Sequence, residues 1–171
     1  AARDALPVLF VIQNNKYAIS VPVASQIAGG SIHSLTSGFT GLNRFVVDGT
    51  DLLESLRTAQ QAVKLVRGGR GPALIEANTV RLLAHSSSDA DKKYRSEQEI
   101  KKDRLLDPIP KLETWLLKQK MLNDREIADI RLTVKNEIDQ AAEAAEQMPL
   151  PQKETVTHFI FNPEPLKNTD S

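Results

Sequence analysis

The run Pro7-Val8-Leu9-Phe10-Val11-Ile12 is apolar at every position and stops abruptly at Gln13-Asn14-Asn15. A half-exposed strand alternates apolar and polar residues, so an unbroken run of this length predicts a parallel strand buried on both faces, with a loop at its carboxyl end. Two similar runs follow, Arg44-Phe45-Val46-Val47 and Ala73-Leu74-Ile75-Glu76-Ala77. Between them Leu52, Leu53, Leu56, Ala59, Val63 and Val66 recur every three or four residues, giving one apolar stripe of a helix that can lie on a sheet. Thr50 is the expected cap of that helix, Asp51 and Glu54 stand favourably in its first turn, and Gly68-Gly69 ends it. Strand, loop, strand, helix, strand implies an α/β fold with a parallel sheet. Such sheets bind ligands beyond the carboxyl ends of their strands, which directs attention to the segments after Ile12 and Ala77.

The rest of the chain is less constrained. Residues 20–43 are rich in Gly, Ser, Thr and Ala and read as loop with one short helix. Residues 81–104 are polar and lack an apolar period, which predicts a long, mobile loop leading into a short charged helix. Asp107 can cap a helix begun by Pro108, with Ile109, Leu112, Trp115 and Leu116 facing inward. Asn123 and Glu126 have capping-box spacing for a longer helix with the stripe Ile127, Ile130, Val134, Ile138, Ala141 and Ala145, ended by Pro149. Thr155 to Asn162 reads as a short edge strand, and 163–171 as a linker or tail.

Charge narrows the function classes. Lys plus Arg and Asp plus Glu number 22 each, so no net field draws the chain to nucleic acid or an anionic membrane. The absence of cysteine excludes disulfides, thiolate nucleophiles and Cys-ligated zinc. No apolar run is long enough to span a bilayer, and a cytoplasmic protein is expected. The start, Ala-Ala-Arg-Asp, reads as neither a signal peptide nor a natural beginning, which suggests a fragment.

Asn14-Asn15-Lys16-Tyr17-Ala18-Ile19-Ser20, at the carboxyl end of the first strand, is the most specific segment. An Asn there offers an amide oxygen where a ligand would sit, and a tight turn adds a backbone carbonyl. Both are donors suited to a hard cation such as magnesium, although paired Asn residues can equally serve a turn. His85, in His85-Ser86-Ser87-Ser88-Asp89, and the arginines Arg81 and Arg95 fall in the second candidate segment. The arginines suit a phosphate contact or a pin on the loop, with surface ion pairing the equal alternative. Glu76 inside an apolar strand calls for a structural partner. His33 and His158 lack metal-ligand spacing, and Gly29-Gly30 and Gly68-Gly69-Arg70-Gly71 read as a loop and a helix stop.

A strand followed by NN-x-YAIS-x-P resembles the second half of the thiamine-diphosphate motif in alpha subunits of 2-oxo acid dehydrogenases, the decarboxylating first component of those complexes. The likeness extends over Arg81, the His-Ser-x-Ser-Asp loop, Tyr94-Arg95-Ser96, Val47-Asp48-Gly49-x-Asp51, Gly71-Pro72-Ala73-Leu74-Ile75-Glu76 and Asp107-Pro108-Ile109. It implies thiamine diphosphate and Mg2+ as cofactors, with the Asn15 side chain and the Tyr17 carbonyl on the metal. It also implies a cofactor-binding set of Asn15, Tyr17, Ile19, His85 and Arg81, with His85 catalytic and the loop serines regulatory. Residues 1–106 would then form part of the diphosphate-binding α/β domain, and 107–162 a helical segment with an edge strand that packs on the sheet and partner chains.

The implied activity is oxidative decarboxylation of a 2-oxo acid with acyl transfer to lipoyl. The implied partners are a beta subunit or beta region, the lipoyl domain of the acyltransferase core, and further copies in a hetero- or homo-oligomer. Ala18-Ile19-Ser20 and the serine-rich loop tilt the likeness to the branched-chain type. A pyruvate or acetoin dehydrogenase is the alternative, and an assembly or scaffold fragment is the alternative of another class. Two features depart from the family: no acidic Gly-Asp-Gly or Gly-Glu-Gly precedes the strand, and position 13 is Gln where branched-chain relatives commonly have Arg.

Overall fold

The computed structural model describes residues 1–158 and 160 of the chain. It divides into two compact units, one ending at Asn123 and the other beginning at Asp124. The first unit is built on β1 (Leu9–Asn14), β4 (Asn43–Asp48) and β5 (Ala73–Asn78), which form a three-stranded parallel sheet in the order β1-β5-β4. A two-stranded hairpin, β2 (Tyr17–Ala18) with β3 (Val21–Pro22), stands between β1 and β4 in sequence, followed by the short helices α1 (Val23–Gln26) and α2 (Ile32–Leu35). The α/β class, the parallel sheet and the succession of elements along the chain expected from the sequence are therefore present, and the structure adds the spatial order of the strands.

Because β5 is inserted between the other two strands, it alone has neighbours on both edges, and Ala73, Leu74, Ile75 and Glu76 are all buried. β1 departs from the expectation of burial on both faces: Phe10 and Val11 are 43% and 59% exposed. It is an edge strand of this sheet, so its apolar run is only partly covered. The pairing register sets Asn14, Asn78 and Asp48 in one row at the carboxyl edge.

The helix α3 (Leu52–Arg67) covers one face. Its contact line is Ala62 and Val66, packed with Val47, Ala73 and Ile75 and flanked by Leu9, Phe45, Leu65 and Ala77. The stripe expected from the sequence holds in part: Val66 is buried and Leu53, Ala59 and Val63 are half-buried, but Leu52 and Leu56 are half-exposed at 50% and 51%, and the fully covered residue is Ala62, which the stripe omits. Small Ala62 lets the helix backbone approach the sheet, whereas Leu52 and Leu53 of the first turn line a cavity with Pro108, Leu112 and Trp115. The cap also differs from expectation. Asp51 is the N-cap and accepts from Glu54 N at 2.9 Å, while Thr50 turns inward to donate to Asp48 Oδ1 at 2.7 Å. Thr50 is 5% exposed, so its hydroxyl needs an internal partner more than the helix needs a second cap. Gly49 marks the close approach of β4 to β5, since a Cβ there would lie 2.6 Å from Thr79 Cγ2 and 3.1 Å from Asn78 O.

After β5 the chain runs through the loop of residues 79–96 into α4 (Glu97–Arg104) and α5 (Pro108–Lys118). Asp107 caps α5 as expected, accepting from Ile109 N at 2.9 Å, with Pro108 in the first turn. Leu112, Trp115 and Leu116 are half-buried, but Ile109 is 60% exposed, contrary to the inward position expected of it. Lys111 of α5 donates to Thr50 Oγ1 at 2.8 Å, tying this helix to the carboxyl end of β4.

The second unit holds α6 (Asp124–Glu146), which begins directly after Asn123 and stops before Pro149. Ile127, Ile130, Val134, Ile138, Ala141 and Ala145 follow one another along one side of it. Lys153–Thr157 forms a 3-10 turn where an edge strand was expected to start. Its backbone closes locally because both the N–H and the hydroxyl of Thr155 donate to Gln152 O, at 3.0 and 2.7 Å. Residues 159, 161 and 162 of the expected strand, and the expected tail, lie outside the described residues. Among the described residues no helix is long and apolar enough to cross a membrane.

Candidate functional site

The turn after β1 is a pair of overlapping side-chain caps. Asn14 Oδ1 accepts from Lys16 N at 3.1 Å, and Asn15 Oδ1 accepts from Tyr17 N at 3.0 Å. Asn side chains that bond the backbone two residues on mimic a backbone turn. Lys16 takes a left-handed conformation, φ 71°, between them. The two asparagines differ in exposure and therefore in use. Asn14 is 5% exposed and donates its Nδ2 to Glu76 at 2.6 Å, so both ends of its amide are engaged internally. Asn15 is half-buried, and an amide oxygen has two acceptor positions of which the turn uses one.

Beyond the turn, the β2–β3 hairpin brings the Tyr17 and Ile19 carbonyls to Arg81. The guanidinium donates to Tyr17 O at 3.2 Å and to Ile19 O. Of the two roles read from the sequence for Arg81, the structure displays pinning: the residue is 8% exposed and grips the hairpin backbone. Arg95 is more enclosed still, at 3%, and its ion pairing is internal. It donates to Asp103 Oδ2 at 2.6 Å, Glu99 Oε1 at 3.2 Å and Arg81 O at 3.1 Å, and lies 3.5 Å from Asp91 Oδ2. A buried guanidinium without such partners would cost several kcal/mol, so the three carboxylates are a condition of its burial.

The Tyr17 ring is the hub of this cluster. Arg81 and Arg95 sit over it at 5.4 and 5.6 Å, Tyr94 packs against it at 5.9 Å, and its hydroxyl donates to Glu99 Oε1 at 2.7 Å. Burial and the bond to Glu99 raise the Tyr17 phenol above its ordinary value, so it remains a neutral donor. Asp89 accepts from Tyr94 Oη and from His85 N at 2.9 Å. Those two bonds hold its carboxyl below the usual range, and the one to Tyr94 is the stronger influence.

The sequence-derived site residues are thus only partly assembled. Asn15, Tyr17, Ile19 and Arg81 form one contiguous group. His85 is exposed and joins that group through its backbone, by way of Asp89 and Tyr94. Ser86 and Ser88 are exposed beside it, their hydroxyls 3.2 Å apart. Sequence reasoning missed the contributions of Tyr94, Asp89, Glu99 and Asp103. The spacing Arg95, Glu99, Asp103 on one helical face carried a signal of i,i+4 charge pairing that could have found the last two.

Glu76 has the partners its position demanded. Its oxygens accept from Asn14 Nδ2 at 2.6 Å, His33 N at 2.7 Å, Ile32 N at 3.3 Å and Ser31 Oγ at 3.3 Å. Burial pushes this carboxyl up, but the hydrogen bonds outweigh burial and hold it below its ordinary value.

As donors, the Asn15 amide oxygen and the Tyr17 carbonyl fit one side of a hard-cation site, because magnesium takes a small number of protein oxygens plus phosphate and water. Among the described residues no group of three His, Cys, Asp or Glu could hold a metal, so further charge would have to come from elsewhere. The fold and site define a parallel α/β protein whose carboxyl sheet edge carries neutral oxygens on a clamped turn.

Residues 1–154 match the sequence family described as "Dehydrogenase E1 component". The chain belongs to that family. It is 34% identical over 165 residues to the 2-oxoisovalerate dehydrogenase subunit alpha of Bacillus subtilis, covering 94% of this chain and 48% of the relative. It is 36% identical over 156 residues to the pyruvate dehydrogenase E1 component subunit alpha of Porphyra purpurea, covering 91% and 45%. It is 40% identical over 125 residues to the 3-methyl-2-oxobutanoate dehydrogenase subunit alpha of Mycobacterium tuberculosis, covering 73% and 34%. The chain thus spans about half the length of the first two relatives and a third of the last.

Proposed function

We propose that the chain supplies the diphosphate and magnesium side of a thiamine diphosphate site in the first component of a 2-oxo acid dehydrogenase. The observation that carries this reading is the Asn15-Lys16-Tyr17 turn at the carboxyl edge of a parallel sheet in a member of the E1 family. When bound, thiamine diphosphate supplies the nucleophilic carbon and the electron sink for decarboxylation. The chain's own residues hold and orient it. Asn15 Oδ1 and Tyr17 O would hold the cation, and Arg81, by donating to Tyr17 O, fixes the hairpin that carries it. The loop bearing His85 lies next to that hairpin in the chain of contacts, which supports a role for His85 beside the cofactor. A beta subunit or region supplies the rest of the catalytic apparatus, and the acyl group passes to a lipoyl domain.

Branched-chain substrates are our first choice, from Ala18-Ile19-Ser20 and the serine-rich loop. Relatives named for pyruvate match as well as those named for branched 2-oxo acids, so pyruvate is the second reading. In the complete enzyme, Asn15→Ala is expected to raise the magnesium concentration needed for half-maximal cofactor binding at least tenfold, because it removes one of few protein oxygens on the ion. Titration of thiamine diphosphate at limiting magnesium measures this, and unchanged affinity would overturn the assignment in favour of an assembly role. Relative kcat/KM for 3-methyl-2-oxobutanoate and pyruvate decides the substrate.

A further inference from the structure

Glu76 stands in the central strand at 2% exposure, on the face of the sheet it shares with Leu74. An apolar residue would fill that position without needing partners, whereas a buried carboxylate is tolerated only when it is fully hydrogen-bonded. Three of its four donors, Ser31 Oγ, Ile32 N and His33 N, fasten the start of α2 to the sheet. The fourth, Asn14 Nδ2, leads elsewhere.

An amide has two chemically different ends, and a carboxylate can only accept. Glu76 therefore selects one of the two flips of Asn14, with Nδ2 toward the carboxylate and Oδ1 toward Lys16 N. In the opposite flip an NH2 group would face the Lys16 N–H, donor against donor, and an oxygen would face a carboxylate. The selected flip closes the first half of the turn around Lys16 at φ 71°. That conformation delivers Tyr17 N to Asn15 Oδ1 at 3.0 Å. The path from Glu76 to the Asn15-Lys16-Tyr17 turn consists of hydrogen bonds between buried or half-buried groups, each setting the direction of the next.

We propose that Glu76, acting through Asn14, is the positioning residue that orients Asn15 Oδ1 and Tyr17 O toward the cation. The inference rests on the reading of those two oxygens as magnesium donors. A carboxylate that merely held α2 on the sheet would not require Asn14 at the end of β1.

The test uses the full-length polypeptide assembled with its partner, saturating thiamine diphosphate, and Mn2+ as a spectroscopically visible substitute for Mg2+, with free Mn2+ read by electron paramagnetic resonance. Glu76→Gln is expected to raise the Kd for Mn2+ at least tenfold, because its amide can turn an NH2 toward Asn14. The exchange variant Asn14→Asp with Glu76→Gln re-forms the bond in the opposite direction, with a donor at 76 and at position 14 an acceptor that can still take the Lys16 N–H, and it conserves the charge. It is expected to recover affinity to within threefold of the wild type. Should Glu76→Gln fail to fold, Asn14→Ser carries the test: it leaves Glu76 its three other donors and shortens the clamp, with an expected loss of at least fivefold.

Wild-type Mn2+ affinity in Glu76→Gln or in Asn14→Ser would overturn the proposal, as would an exchange variant that regains thermal stability without regaining affinity. Asn15→Ala in the same assay separates the two levels of inference. If it binds Mn2+ normally, the metal-donor reading falls and takes the proposal with it. If it loses affinity while Glu76→Gln does not, the positioning role alone is lost.

Discussion

Ile19 occupies φ 53° at the first position of the two-residue turn joining β2 to β3. A β-branched side chain is an outlier there, and such strain costs about 1–3 kcal/mol and persists only where the surroundings impose it. The imposing group is Arg81, which holds the Ile19 carbonyl from one side and that of Tyr17 from the other. Ile19→Gly removes the strain and adds a flexibility cost of about 0.5–1 kcal/mol. Stability is therefore expected to stay within about 0.5 kcal/mol of the wild type or to rise, and a denaturation midpoint showing a loss above about 1 kcal/mol would count against strain at this position. Glu76 allows a prediction in pH. Its folded pKa lies below the ordinary Glu value of about 4.3, so the stability it confers is present above that value and lost as pH falls through the folded pKa. Glu76→Gln should show a flatter loss of stability below about pH 5 than the wild type, measured by thermal melts across the acid range. Asn15, Tyr17 and Glu76 were legible in the sequence as residues with a task. That Asn14 is the clamp was not legible, because both residues are Asn and only the location of Glu76 distinguishes them, and the assignment of Asn15 to the metal comes from the family resemblance alone.

Among the elements, strands and helix ends were easier to read than helix faces. The three sheet strands fell within about two residues of their expected places because short apolar runs bounded by polar turns have few other solutions. The hairpin of residues 17–22 went unread, since its turn contains no Gly or Asn and depends on Arg81, 62 positions away from Ile19. The buried line of α3 was misread because Ala62 carries little hydrophobic weight in a pattern, yet it is the residue at 0% exposure against the sheet. Ala62→Leu should therefore destabilise the protein by about 1–3 kcal/mol through overpacking, whereas Leu56→Ala, at a position 51% exposed, should cost under about 1 kcal/mol. Equal losses in chemical denaturation would place α3 differently on the sheet. The cap gives an independent check: Asp51→Ala should lower stability by about 1 kcal/mol, in keeping with its bond to Glu54 N.

For the whole molecule the decisive count is of chemical roles rather than of elements. The Asn15-Lys16-Tyr17 turn offers neutral oxygens, and the two carboxylates closest to it in the hydrogen-bond network are already engaged: Glu76 accepts four bonds, and Glu99 accepts from Tyr17 Oη and Arg95 Nε. A divalent cation also carrying a diphosphate is usually held by one or two carboxylates. The family resemblance implies that such a carboxylate comes from an acidic Gly-Asp-Gly or Gly-Glu-Gly segment, and that a beta region supplies the rest of the catalytic apparatus. His85 does not take the carboxylate's place, because imidazole is a poor ligand for magnesium beside oxygen donors. We therefore predict that the purified 171-residue chain releases no CO2 above background from branched 2-oxo acids or pyruvate, even with thiamine diphosphate, Mg2+ and an artificial electron acceptor. Supplying polypeptide that bears the acidic segment, together with the beta partner, should restore turnover. Asn15→Ala in that reconstituted enzyme should then abolish most of the gain at limiting Mg2+ and little of it at high Mg2+, since a lost ligand weakens the ion's hold without removing the chemistry. Cofactor-dependent decarboxylation by the isolated chain would mean that these residues form a complete site.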